Sequence, residues 1–192
     1  MWIDENAFGL LISYFEVEED EYGLSREEFV QRFEAFRRAV YDYAALTPLG
    51  SSVRALDLGH GVYFEVAAGD ETTDVLGWMR ELRASLGEAG LRSVGVISHG
   101  GRWVPEDEPL DPHVQLVGTA QVTAWSRPSE PLRRALYADA ASRLSGEEGE
   151  EERGWGPGLY FDTEAVEALG RSPKNAPTAL ETAGASFFRA GR

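Results

Sequence analysis

Three histidines, His60, His99 and His113, bound the imidazole chemistry open to this chain, histidine being the side chain that ordinarily titrates near neutrality. Two of them bracket a segment dense in functional groups: Ser98, His99, Gly100 and Gly101, then Glu106, Asp107, Glu108, Asp111 and His113. A histidine followed by two glycines occurs in the oxyanion loop of some esterases. Those enzymes also need a G-x-S-x-G nucleophile elbow, which this sequence lacks. His99, Asp111 and His113 with one loop carboxylate would make a mixed nitrogen and oxygen set suited to Zn²⁺ or Mn²⁺. Their spacing matches no standard metal motif, and loop carboxylates are ordinarily hydrated charges. Walker, dinucleotide-binding and H-E-x-x-H motifs are absent. So is cysteine, which excludes disulfides, thiolate metal sites and a thiol nucleophile. The expectation is a protein that is not an enzyme, with no cofactor and no metal. A small metal-dependent hydrolase using the 98–113 loop is kept as an alternative.

Charge carries more information. The chain has 33 Asp plus Glu against 18 Lys plus Arg, a formal net of −15 over 192 residues. Such a surface repels nucleic-acid phosphates and anionic lipid, while it steers basic proteins into encounter and keeps the protein soluble. The expected partner is a basic protein, with no nucleic acid and no membrane. The densest acidic run is Glu147, Glu148, Glu150, Glu151 and Glu152, followed by Trp155; Glu106, Asp107 and Glu108 make a second patch. Tryptophan beside carboxylates is the composition of an interface hot spot. These nine residues are the candidate contact set. Trp2, Trp103 and Trp125, at a chain end, a loop edge and a strand exit, share that character.

A small, acidic chain without a catalytic signature is similar in composition to the immunity proteins that neutralise basic toxins such as nucleases. No motif carries that likeness. A structural or assembly module, such as a phage or secretion-system component that packs against copies of itself, is a second alternative. Lys174 is the single lysine among the 18 basic residues, a bias of the kind a GC-rich bacterial genome imposes. The first thirty residues lack a basic start and cleavage site, and no window is apolar enough to span a bilayer, so a cytoplasmic location is expected.

The elements that position these groups read as α+β. Ala7 to Val17 is apolar on both faces, as in a strand buried on two sides. Ser25 and Glu28 form a capping box, and Phe29, Phe33, Phe36, Val40 and Tyr43 follow at helical spacing, which predicts a helix over 26–45 with these aromatics as core. Val53–Leu58 and Val62–Ala67 predict a hairpin around Gly59, His60 and Gly61. A second helix from about Thr73 carries Val75, Leu76, Met79, Leu82 and Leu86 and stops at Gly90. Ser93–Ser98 predicts a strand, Gly100–His113 a loop, and Val114–Trp125 a further strand. Ser129 caps a third helix bearing Leu132, Leu136, Ala140 and Leu144. The glutamate-rich stretch from Ser145 to Gly158 reads as a loop. Leu159–Phe161 is a short strand, and Asp162 or Thr163 caps a two-turn helix ending at Gly170. Phe187 and Phe188 pack the tail onto the body.

Strand, helix, strand, strand, helix, strand is the order of a ferredoxin-like split βαβ sandwich, an antiparallel sheet with helices on one face. A C-terminal strand-helix-strand portion extends it. The chain is expected to be one domain over residues 1–192. An echo of Gly61-Val-Tyr-Phe-Glu65 in Gly158-Leu-Tyr-Phe-Asp162 allows a ferredoxin-like unit over 1–104 with a partial repeat over 114–192.

Overall fold

A computed structural model describes residues 2–14, 25–47, 49, 53–57, 61–67, 74–103, 130–144, 158–170, 178–182 and 185–189. They form seven strands and four helices: β1 (Trp2–Tyr14), α1 (Arg26–Leu46), β2 (Val53–Asp57), β3 (Gly61–Ala67), α2 (Val75–Glu88), β4 (Ser93–Trp103), α3 (Glu130–Leu144), β5 (Leu159–Asp162), α4 (Thr163–Ala168), β6 (Thr178–Thr182) and β7 (Ala185–Arg189). All seven strands share one sheet in the order β2-β3-β1-β4-β5-β7-β6. Every neighbouring pair is antiparallel except β4 with β5. The protein is α+β, as the sequence implies.

β1 is central because it has no polar face to offer solvent. Leu10 and Ile12 point to one side and Leu11 to the other, and all three are buried. On the first side they join Val62, Phe64, Ile97 and Phe161 under Phe36 and Val40 of α1 and Val75, Met79, Leu82 and Leu86 of α2. Each large side chain taken out of water there contributes about 1.5–3 kcal/mol. Asp74 caps α2, within one residue of the expected start: its side chain accepts from the Gly77 N–H at 2.8 Å. Gly90 ends the helix at φ 72°, a conformation that favours glycine.

The opposite side is also covered, which corrects the expectation of helices on one face only. Leu11 pairs with Tyr63 and Val96, Val96 with Tyr160, and Tyr160 with Arg189. α3 lies over this row. The Tyr160 hydroxyl donates to Leu136 O at 3.2 Å and to Asp139 Oδ2 at 2.7 Å, and Arg189 pairs with Asp139. A third helix following an already covered sheet has only the free face left to bury its own stripe, here Leu136 and Ala140.

Two more boundaries differ from the sequence reading. β4 continues through His99, Gly100 and Gly101 to Trp103, where turn chemistry predicted a loop from Gly100. Its partner β1 also begins earlier, at Trp2, so Phe8 pairs with His99, Ala7 with Gly100 and Trp2 with Trp103 across an irregularity between Ile3 and Ala7. Cross-strand pairing has overridden the local glycine signal. The C-terminal hairpin β6–β7 was not predicted beyond the inward packing of Phe187 and Phe188, both of which are buried. The predicted strand over 114–125, the Gly59–His60 turn and the 145–157 stretch lie outside the described residues.

Candidate functional site

One end of the sheet carries exposed aromatic surface. It is built outward from Ser25. The Ser25 N–H donates to Glu28 Oε2 at 2.9 Å and the Glu28 N–H donates to Ser25 Oγ at 3.2 Å, the reciprocal capping box that starts α1 at Arg26. These bonds hold the Glu28 carboxyl below its ordinary range. Phe29, Phe33 and Phe36 then climb one face in parallel planes, with ring centroids 6.2 Å apart at each step. Tyr14, the last residue of β1, touches all three rings at 5.8, 6.1 and 5.5 Å.

The ladder does not stay in the core. Phe36 is fully buried and Phe33 half-buried under the Arg37 guanidinium, while Phe29 is 44% exposed and its neighbour Val30 49% exposed. The expectation that the three phenylalanines are core therefore holds for Phe36 and fails for Phe29. Phe29 lies in the first turn of the helix, against Tyr14 at the very end of β1. Helical period alone cannot reveal where a sheet ends.

Most of the acidic excess falls outside the described residues. The described residues hold 17 acidic and 13 basic side chains, a net of −4. The remaining 16 acidic and 5 basic side chains, a net of −11, fall outside them. Two of the richest runs attach at this end of the sheet. Residues 15–24, with Glu16, Glu18, Glu19, Asp20 and Glu21, link Tyr14 to the Ser25 cap. Residues 145–157, with the five glutamates from Glu147 to Glu152, lead into Gly158. Tyr14 pairs with Ser93 at the start of β4, and Gly158 O accepts from the Gly95 N–H two residues further on, at 2.7 Å.

The second cluster lies toward the other end, where the parallel pairing of β4 with β5 stops at Ile97 and Phe161. The next residues are Ser98 and Asp162, both shut from solvent. Asp162 caps α4, its Oδ1 accepting from the Ala165 N–H at 2.7 Å, while its Oδ2 and the Ser98 Oγ lack a hydrogen bond of good geometry. Burial lifts the carboxyl to about 6. The Ala165 amide, the Ser98 hydroxyl and the His99 amide oppose that shift, and Glu164 adds to it. His99 packs its ring on Phe8 at 4.7 Å, and burial pushes its imidazole down, with Glu164 opposing. A carboxyl that titrates near 6 has the proton affinity of a general acid or base. Its complete enclosure, however, keeps substrate from it.

No protein family matches this chain, and no curated protein is significantly similar to it in sequence. Its function therefore has to be read from its own geometry.

All nine anticipated contact residues, Glu147, Glu148, Glu150, Glu151, Glu152, Trp155, Glu106, Asp107 and Glu108, lie outside the described residues, as do His60, Asp111, His113 and Trp125. The chain leaves for Glu106–Glu108 from Trp103, whose partner is Trp2, and arrives from Glu147–Glu152 at Gly158. The two patches are thus tethered to opposite ends of β4. Among the described residues no group of three or more His, Asp or Glu could hold a metal ion, and no helix is long and apolar enough to cross a membrane. Sequence reasoning missed Asp162. It was legible as a helix cap, but its burial beside Ser98 depends on the β4–β5 register.

Proposed function

We propose that this chain is an acidic, non-enzymatic protein-binding protein that neutralises or docks a basic protein partner, in the manner of an immunity or inhibitor protein acting on a toxin. The supporting observation is the acidic excess, a formal net of −15 over 192 residues. Its densest acidic runs, Glu16–Glu21 and Glu147–Glu152, lead in sequence from Tyr14 and into Gly158, and both of these residues lie at one end of the sheet. Such an excess steers a cationic surface into encounter, raising the encounter rate more than the lifetime of the complex. Glu147, Glu148, Glu150, Glu151, Glu152 and Trp155 are the primary contact residues of this reading, and Glu106, Asp107 and Glu108 are a separate, weaker patch.

The scaffold of the reading is a single domain. The β1–β4 portion is a ferredoxin-like split βαβ unit in the spatial order β2-β3-β1-β4, with α3, β5, α4 and the β6–β7 hairpin extending it. The proposed location is the cytoplasm.

Affinity capture from the source organism, at low and at moderate salt, tests the reading. A stoichiometric basic protein that is lost as salt rises supports it. Self-association without such a partner would favour the assembly alternative. The hydrolase alternative draws on one observation, the Ser98, His99 and Asp162 cluster, and is weakened by the burial of both Ser98 and Asp162.

A further inference from the structure

We infer that the β5–α4 corner is a proton-operated latch: a neutral Asp162 carboxyl keeps the first turn of α4 shut against the sheet, and loss of its proton to solvent releases that turn. Such a latch operates with or without the basic partner proposed above. Ser98 and Asp162 lie two residues on from Val96 and Tyr160, so strand alternation turns them to the same face of the sheet. In register they are flanked by Gly9 of β1 and Phe187 of β7, neither of which brings a polar side chain. Ser98, Asp162 and Phe187 are all fully buried.

The carboxyl is well bonded through one oxygen. Oδ1 accepts from the Ala165 N–H at 2.7 Å, while Oδ2 is closed from water and, like the Ser98 Oγ beside it, has no hydrogen bond of good geometry. Among the described residues no cation is set against it. Glu164 of α4 has the same sign. The His99 imidazole on β4 packs on Phe8 at the other face of the sheet and is kept from protonating by burial. Arg189 of β7 is engaged by Asp139. On β3, the Tyr63 hydroxyl lies over Gly9, where a Cβ would meet it at 2.8 Å, and Glu65, a further acid, pairs with Gly9. A carboxyl so enclosed favours its neutral form, and burial lifts it from 3.8 to about 6. α4 has little else to hold it. Six residues are too few to be helical by propensity alone, and Ala165 and Val166 are its buried anchors. The neutral carboxyl fits the closed corner, whereas the carboxylate is better hydrated, and hydration requires the first turn to lift. Opening therefore rises as pH climbs from 3.8 to about 6 and levels off above that.

The test follows amide hydrogen exchange of the full chain by NMR between pH 4.5 and pH 7, corrected for the intrinsic pH dependence of exchange, with and without dilute urea. The Ala165, Leu169 and Gly170 amides bond within α4 and its cap. They are expected to lose protection at least tenfold over that range, as the displaced titration implies, and with little dependence on urea. The Leu10 and Leu11 amides of central β1 are expected to stay at the higher protection set by global unfolding. Asp162→Asn is expected to abolish the pH dependence in α4. If that variant does not fold, Asp162→Ser, also a neutral cap, takes its place. Protection in α4 that is constant across the range overturns the latch. So does a pH-dependent loss that persists in the neutral variant, or exchange of the α4 amides only together with those of β1.

Discussion

Asp162→Asn is expected to stabilise the protein at neutral pH, although it alters a fully buried helix cap. The carboxyl ordinarily titrates at 3.8 and is lifted to about 6 in the folded protein, chiefly by burial. At about 1.4 kcal/mol per pH unit, keeping it ionised at pH 7 costs the folded state about 3 kcal/mol. Asparagine retains an oxygen to accept from the Ala165 N–H and ranks with aspartate as an N-cap. Its amide nitrogen can donate toward the Ser98 Oγ in place of the contact that the hydroxyl makes with the carboxylate. Losing the charge at the α4 N-terminus forfeits about 0.3–1 kcal/mol, which leaves a net gain of about 2 kcal/mol.

The sign of the pH dependence follows from the two values. Between pH 3.8 and about 6 the folded state holds a proton that the unfolded state has released, so this group's contribution to stability falls as pH rises through that window. The benefit of the substitution is therefore full at pH 7 and mostly gone by pH 4. Urea unfolding at both pH values reads it directly, as a midpoint shift of about 1 M at pH 7 for an m-value of about 2 kcal/mol/M. A loss of stability at pH 7, or an equal gain at pH 4, would refute the reasoning. Either result would mean that the carboxylate is solvated or satisfied in a way the buried geometry does not allow.

Three further substitutions test the scaffold. Ser25→Ala removes one arm of the capping box and is expected to cost about 1 kcal/mol in thermal or urea unfolding, with fraying at the start of α1 seen by amide exchange. Tyr160→Phe deletes the hydroxyl shared between Leu136 O and Asp139, and is expected to destabilise by about 1–2 kcal/mol while the Arg189–Asp139 pair persists. Gly61→Ala would press a methyl group against the Ile12 carbonyl oxygen and the Ser13 side chain. The obstacle includes backbone, so a loss of about 1–3 kcal/mol is expected, measured by the same unfolding curves.

Much of the first half of the fold is legible in the sequence because its signals are local. Ser25 and Glu28 fix where α1 begins, the stripe from Val75 to Leu86 fixes the inner face of α2, and Gly90 fixes its end. What the sequence hides is non-local. His99 to Trp103 carry loop chemistry yet lie in β4, because β1 reaches back to Trp2 to pair with them. The placement of α3 on the second face depends on which side of the sheet α1 and α2 already occupy. Phe29 and Phe36 are indistinguishable by period, although one is 44% exposed and the other fully buried. Asp162 reads as an ordinary cap until the β4–β5 register sets it beside Ser98. The acidic runs can be counted along the chain, but which aromatic side chains reach solvent cannot be read there.

The most direct test of the central claim is the association rate of the captured basic partner with the wild type and with a Glu147→Lys, Glu148→Lys, Glu151→Lys triple variant, measured across ionic strength at constant pH. If the acidic segments steer the encounter, the wild-type rate falls steeply with salt and the triple variant associates at least tenfold more slowly at low salt, the two converging as salt rises. Equal rates at low salt would contradict the claim that the 147–152 run guides this protein to its partner.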